Sequence, residues 1–113
     1  MKFESEVIAN ELLPAIRSII SSELKESYGL EQKQIARDLD ISEAAVSQYI
    51  TGKRADKEVK KALREDPQVM VLLNDAAGKL AKDKKCANEI SEAVQTIRDK
   101  GLIRERFGDA YKL

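Results

Sequence analysis

The chain predicts an all-α protein, and three observations carry that expectation. Only two prolines and five glycines punctuate its 113 residues. Strong helix formers fill the intervals between them, and apolar residues recur at spacings of three and four rather than two. The length suits one hydrophobic core with an appendage, not two generous cores. No internal repeat or low-complexity linker divides the chain.

The elements follow in order. Phe3 to Leu12 predicts a short first helix with Phe3, Val7 and Ile8 in helical register. Pro14 predicts the first turn of a second helix, where its missing N–H costs nothing. That helix carries Ile16, Ile19, Ile20 and Leu24, and Gly29 is expected to end it in a left-handed cap. The stretch QKQIARDLDISEAAVSQYITGKR, Gln32 to Arg54, comes next. Ile35, Ala36 and Leu39 make one apolar face, Val46, Tyr49 and Ile50 make another, and Ile41 lies in a very short connection. Two helices joined so closely cross steeply. Ala36 has the small side chain that a close crossing needs. Asp40 is where the chain must leave the first helix, in a left-handed conformation that Asp tolerates less readily than Gly. Ser42 has the chemistry to cap the second helix.

The second half reads as core material. Val69, Met70, Leu72, Leu73, Ala76, Ala77, Leu80 and Ala81 form a wide apolar helix face after Pro67. Gly78 interrupts it at about 1 kcal/mol relative to Ala, unless close packing uses the space. Cys86, Ile90, Ala93, Val94 and Ile97 repeat the pattern up to Gly101. The expected organisation is therefore residues 1–55 as N-terminal helices with the closely joined pair, and residues 56–113 as a C-terminal helical region.

Composition removes several function classes. With no His and a single Cys86, nothing is expected to ligate a metal or form a nucleophile–base pair, so no catalytic residue and no cofactor is predicted. Cys86 reads as a small buried apolar residue. The apolar runs are too short for a membrane span, and the opening MKFESEV lacks the order of a signal peptide, so a cytoplasmic protein without membrane contact is expected. Twenty basic residues balance twenty acidic ones. Any electrostatic argument must then be local.

One such argument lies in the second helix of the pair. With its apolar side inward, Glu43, Ala44, Ser47, Gln48 and Thr51 fall on the outer side. A solvated face is the plain explanation of such a stripe, but the tight turn before it and the basic segment after it favour DNA. The major groove admits one helix; Gln48 suits a two-point contact to an adenine edge, Ala44 a thymine methyl, and Ser47 a base or a phosphate. Glu43 would repel phosphates, although it can accept from a cytosine amino group; it reads better as a charge favoured by the helix N-terminus. Lys53, Arg54, Lys57, Lys60, Lys61 and Arg64, against Asp56 and Glu58, make a locally basic segment suited to the phosphate backbone. An Asp56–Lys60 surface pair at i, i+4 is its plain alternative. Lys57 and Lys61 argue against that alternative, being like charges at the same spacing.

The residues Gln32, Ile35, Ala36, Leu39, Ile41, Ser42, Val46 and Ser47, with the closing YITGKR, resemble the helix-turn-helix of phage repressor and Cro-type regulators. A longer stretch, LLPAIRSIISSELKESYGLEQKQIARDLDISEAAVSQYITGKR, is similar to the N-terminal half of small archaeal helix-turn-helix proteins predicted to regulate transcription; the resemblance spans roughly residues 4 to 55. It implies a repressor-like motif at residues 31–52 with additional C-terminal helices. It also implies that Gln32 and Ser42 join Glu43, Ala44, Ser47, Gln48, Thr51, Lys53 and Arg54 in contacting double-stranded DNA. The chain departs from that pattern at Asp40, where the family usually has Gly, and at Glu31, where Ser is common. Some relatives carry several cysteines near the C-terminus where this chain has AVQTIRDKGLI, so no cluster or metal is inferred here.

The expectation is a sequence-specific DNA-binding transcriptional regulator that reads the groove through the helix at 42–52. Two alternatives are a helix-turn-helix used as a protein–protein adaptor, and an antitoxin-like DNA-binding protein with a partner docked on its C-terminal helices. A homodimer is expected, because one recognition helix reads few base pairs and the apolar positions at 69–81 exceed what one face consumes.

Overall fold

The computed structural model describes residues 3–107, and every regular element among them is helical. α1 (Glu4–Val7) runs through a π-helical turn (Ile8–Leu12) into α2 (Leu13–Glu26), with Val7, Ile8, Leu12 and Leu13 all at right-handed helical angles. Pro14 stands in the first turn of α2, as expected, although α2 continues from the π-helical turn without a break. A proline inside a helix lacks a donor, and its ring crowds the carbonyl four residues back. The wider turn just upstream is the geometry that relieves that conflict. Phe3 also departs from expectation, since it precedes α1 and is 58% exposed.

α2 is the axis of the fold. It buries Ala15, Ile16, Ile19, Ile20 and Leu24, and α3 (Gln32–Leu39), α4 (Glu43–Thr51), α5 (Lys57–Arg64) and α6 (Pro67–Ala81) all pack on it. α7 (Ala87–Lys100) packs against α6, and the short α8 (Arg104–Phe107) returns to α1. One hydrophobic cluster runs through both halves of the chain, from Val7 to Ile103.

That arrangement changes the meaning of α6. Val69, Leu73, Ala76 and Ala77 are each at most 1% exposed within the single chain, held between α2 and α7. The apolar surplus expected to drive pairing is thus largely consumed internally; Val71 alone on this helix is a large hydrophobic left open, at 59% exposure. Gly78 does use its space. A Cβ there would lie 2.9 Å from the Tyr28 hydroxyl, which reaches over α6 from the turn after α2.

Carboxylates start α5 and α6. Asp56 accepts from the backbone N–H groups of Glu58 and Val59 at 2.8 and 3.2 Å, and Asp66 from Val69 at 3.0 Å. Cations from the C-terminal end close on both: Lys100 Nζ lies 3.0 Å from Asp66, and Arg106 donates to Asp56, Glu58 and Glu11. No helix among the described residues is long and apolar enough to cross a membrane.

Candidate nucleic-acid interface

The candidate surface is built on α3, α4 and the three residues between them. Glu31 and Gln34 form a reciprocal capping box that starts α3, so the Glu at this position does the work expected of Ser. Asp40 takes φ 55° and ψ 47°, the left-handed conformation expected, and Ile41 N–H reaches back to the Ala36 carbonyl at 3.0 Å. Ser42 then caps α4 by accepting from Ala45 N–H at 3.0 Å. Ile35, Ala36, Ala45, Val46 and Tyr49 are buried between the two helices and α2.

Two polar contacts fix α4 in place. Gln32 Nε2 donates to the Glu43 carbonyl at 2.8 Å, tying the first turn of α3 to the first turn of α4. Ser18 Oγ, buried on α2, donates to the Tyr49 carbonyl at 2.9 Å and holds the other end. Both ends of the helix are therefore anchored. Gly52 leaves α4 with φ 81°, and the N–H groups of Lys53 and Arg54 both turn back to the Gln48 carbonyl. Ala55 is also left-handed, at φ 79°, a conformation that costs a residue with a Cβ about 1–2 kcal/mol.

The outer side of α4 divides by availability. Glu43, Ala44, Gln48 and Thr51 are exposed and Ser47 is half-buried. The Gln48 carboxamide makes no hydrogen bond among the described residues. Thr51 Oγ1 instead donates to the Ser47 carbonyl at 2.8 Å, so its hydroxyl proton is already engaged within α4. Ser42 and Gln32 have the structural duties just given, yet each keeps a further donor. Beyond the helix, Arg54 lies over the Tyr49 ring at 5.5 Å, so its guanidinium is held against the protein while Lys53 is exposed.

The basic segment is more one-sided than its sequence. Lys57, Lys60, Lys61 and Arg64 border one surface depression together with Glu65. Asp56 does not pair with Lys60; it caps α5 and faces Arg106, which also takes Glu58. Arg106 thereby withdraws both acidic residues from the lysines. Burial, then the charges of Arg64 and Lys57, push the Lys60 ammonium below its ordinary pKa. A bound anion would relieve the like-charge part. Arg64 also borders a cleft with Glu23 and Glu26, and Lys61 makes an exposed i, i+4 pair with Glu65 at 3.9 Å.

No family model, curated protein or solved structure matches the chain. The functional reading therefore rests on the chemistry of this surface.

The fold also assembles a second basic group. Arg37 on the exposed side of α3 shares a depression with Lys84 and Lys85 from the loop between α6 and α7, alongside Asp38 and Asp83. The run KDKK at 82–85 is visible in the sequence. Its meeting with Arg37, far away along the chain, is a product of the tertiary fold. No group of three or more Cys, Asp or Glu side chains among the described residues is arranged to hold a metal ion.

Proposed function

We propose that the protein is a sequence-specific DNA-binding regulator of transcription, in which α3, the 40–42 turn and α4 act as a repressor-like helix-turn-helix. The observation that carries this reading is the division of α4. Ala45, Val46 and Tyr49 are buried, while Glu43, Ala44, Gln48 and Thr51 are exposed on short side chains, with both ends of the helix anchored. A helix so presented fits the major groove, whose width of about 12 Å admits one helix.

Within this reading Gln48 specifies and the cations position. The Gln48 carboxamide offers a donor and an acceptor to adenine N7 and N6, Ala44 offers its methyl to thymine, and Ser47 a hydroxyl. Lys53 and Arg54 meet phosphates beside the end of α4, and the basic group on α5 extends that contact. Glu43 stays at the helix N-terminus, where the dipole favours it. A dimer on two half-sites one DNA turn apart completes the specificity that a single helix lacks. With most of α6 committed inside the chain, the dimer rests on that requirement rather than on spare apolar surface.

Selection from a pool of random duplexes, followed by sequencing of the retained DNA, tests the reading. A recurrent sequence, with two related halves, is the expected result. A protein that retains no preferred sequence, while capturing partner proteins through the same helices, would instead be an adaptor.

A further inference from the structure

A cleft of about 220 Å³ opens where α2, α3, α6 and α7 meet. Leu13, Ile16, Ile20, Leu80 and Ile90 give it apolar walls, and two charged side chains, Arg17 and Asp38, also line it. Its volume lies below the roughly 300–1,000 Å³ of pockets for drug-sized ligands, so it suits a molecule of few heavy atoms. Arg17 and Asp38 are both half-buried, and neither makes a hydrogen bond or ion pair with any described residue. The two opposite charges share one cleft without pairing with each other, so each keeps solvent-accessible polar atoms open to a ligand.

We propose that this cleft binds a small aliphatic α-amino acid, with Arg17 taking the carboxylate, Asp38 the ammonium, and the apolar walls the side chain. A purely apolar ligand would leave both charges unanswered in a partly desolvated site. An aliphatic carboxylate would answer Arg17 and face repulsion from Asp38; an aliphatic amine would do the reverse. A zwitterion with an apolar arm matches all three parts of the lining. The electrostatics around Asp38 agree, since burial and then Asp83 push its carboxyl above the ordinary range, partly offset by Arg37. A ligand ammonium would add to the positive charge of Arg37, which offsets that rise only in part. Cys86, which also lines the cleft, brings no competing charge, because burial and then Glu89 push its thiol up.

Asp38 and Leu39 belong to the last turn of α3, immediately before the left-handed Asp40. A ligand there braces the helix that leads into α4; any effect on DNA affinity rests on the function proposed above, whereas binding itself does not.

The single cysteine makes the test direct. The rate at which N-ethylmaleimide alkylates Cys86 in the free, folded protein is measured with L-leucine, with isovalerate, which lacks the ammonium, and with isoamylamine, which lacks the carboxylate. Saturable protection by L-leucine through the low millimolar range, with at least tenfold weaker protection by the two truncated compounds, is expected. Calorimetry on Arg17→Gln and Asp38→Asn, each confirmed folded by circular dichroism, should show about tenfold weaker leucine binding than the parent. Absence of protection by L-leucine overturns the proposal. Equal protection by isovalerate overturns it in favour of a simple carboxylate site, and equal protection by all three shows an apolar cleft without charge recognition. Because the measurement uses free protein, its failure is distinct from a failure to select DNA.

Discussion

Two buried serines on α2 should respond in opposite directions to the same substitution. Ser18 is 1% exposed and donates to the Tyr49 carbonyl at 2.9 Å. That carbonyl lies in the last turn of α4, where the Lys53 N–H that would ordinarily reach it turns to Gln48 instead. Ser18→Ala therefore leaves a buried acceptor without its donor, which costs about 1–3 kcal/mol. For a chain of this size that corresponds to a fall in Tm of roughly 4–12 °C. Ser21 is fully buried, and its hydroxyl has no partner among the described residues. Ser21→Ala removes a desolvated polar atom with little change in volume, so it should range from neutral to about 1 kcal/mol stabilising. Urea unfolding of both variants beside the parent, with unchanged m-values, measures the difference. A Ser21→Ala variant that loses as much stability as Ser18→Ala would refute the assignment of the two hydroxyls. So would a Ser18→Ala loss below about 0.5 kcal/mol, since a buried donor of this kind should exceed it.

Further outcomes follow from the same contacts. Neutralising Lys53 should weaken binding to every DNA sequence alike and reduce the slope of log K against log salt by about 0.9, the value for one lost phosphate contact; an unchanged slope would assign Lys53 to a solvated surface. Asp56 and Asp66 are held below the ordinary carboxylate range, first by the backbone N–H groups they cap and then by Arg106 and Lys100 respectively. Their contribution is complete above about pH 4, the unfolded value, and is lost as pH falls through the depressed folded values. Asp56→Asn, which keeps the capping oxygen, should flatten the acid fall of Tm relative to the parent; an identical acid limb would contradict this. Mass measurement on the protein–DNA complex should find two chains per selected site, and one chain on a two-part site would remove the dimer from the account.

What the sequence made legible was local. The αL turn at Asp40, the Ser42 cap, the outer stripe of α4 and the left-handed Gly29 after α2 are decided by neighbouring residues, and the structure has them where expected. Pro14 stands in the first turn of α2 as expected, but a proline alone gave no sign that a π-helical turn would lead into it without a break. Ala45, next to the exposed Ala44, is buried at 4%. It lies one turn before Tyr49, on the inward side that the apolar register of α4 sets. The pairing of Arg106 with Asp56 and Glu58, and the meeting of Arg37 with Lys84 and Lys85, join residues remote in sequence. Spacing within one helix offered an Asp56–Lys60 pair as the plain alternative and had no access to Arg106. The role of α6 was likewise hidden: its apolar width was plain, but whether a second copy or α2 and α7 would cover it depended on the tertiary arrangement.

The central claim is that α4 reads bases, and Gln48 tests it most directly. Once a selected duplex is in hand, affinities of the parent and of Gln48→Ala are compared on that duplex, on each of its single base-pair variants, and on random DNA. The account predicts a loss of about 1–3 kcal/mol on the selected site, indifference at one base pair where the parent was selective, and nearly unchanged binding to random DNA. An equal loss on selected and random DNA, or full retention of the parent's preference at every position, would contradict it.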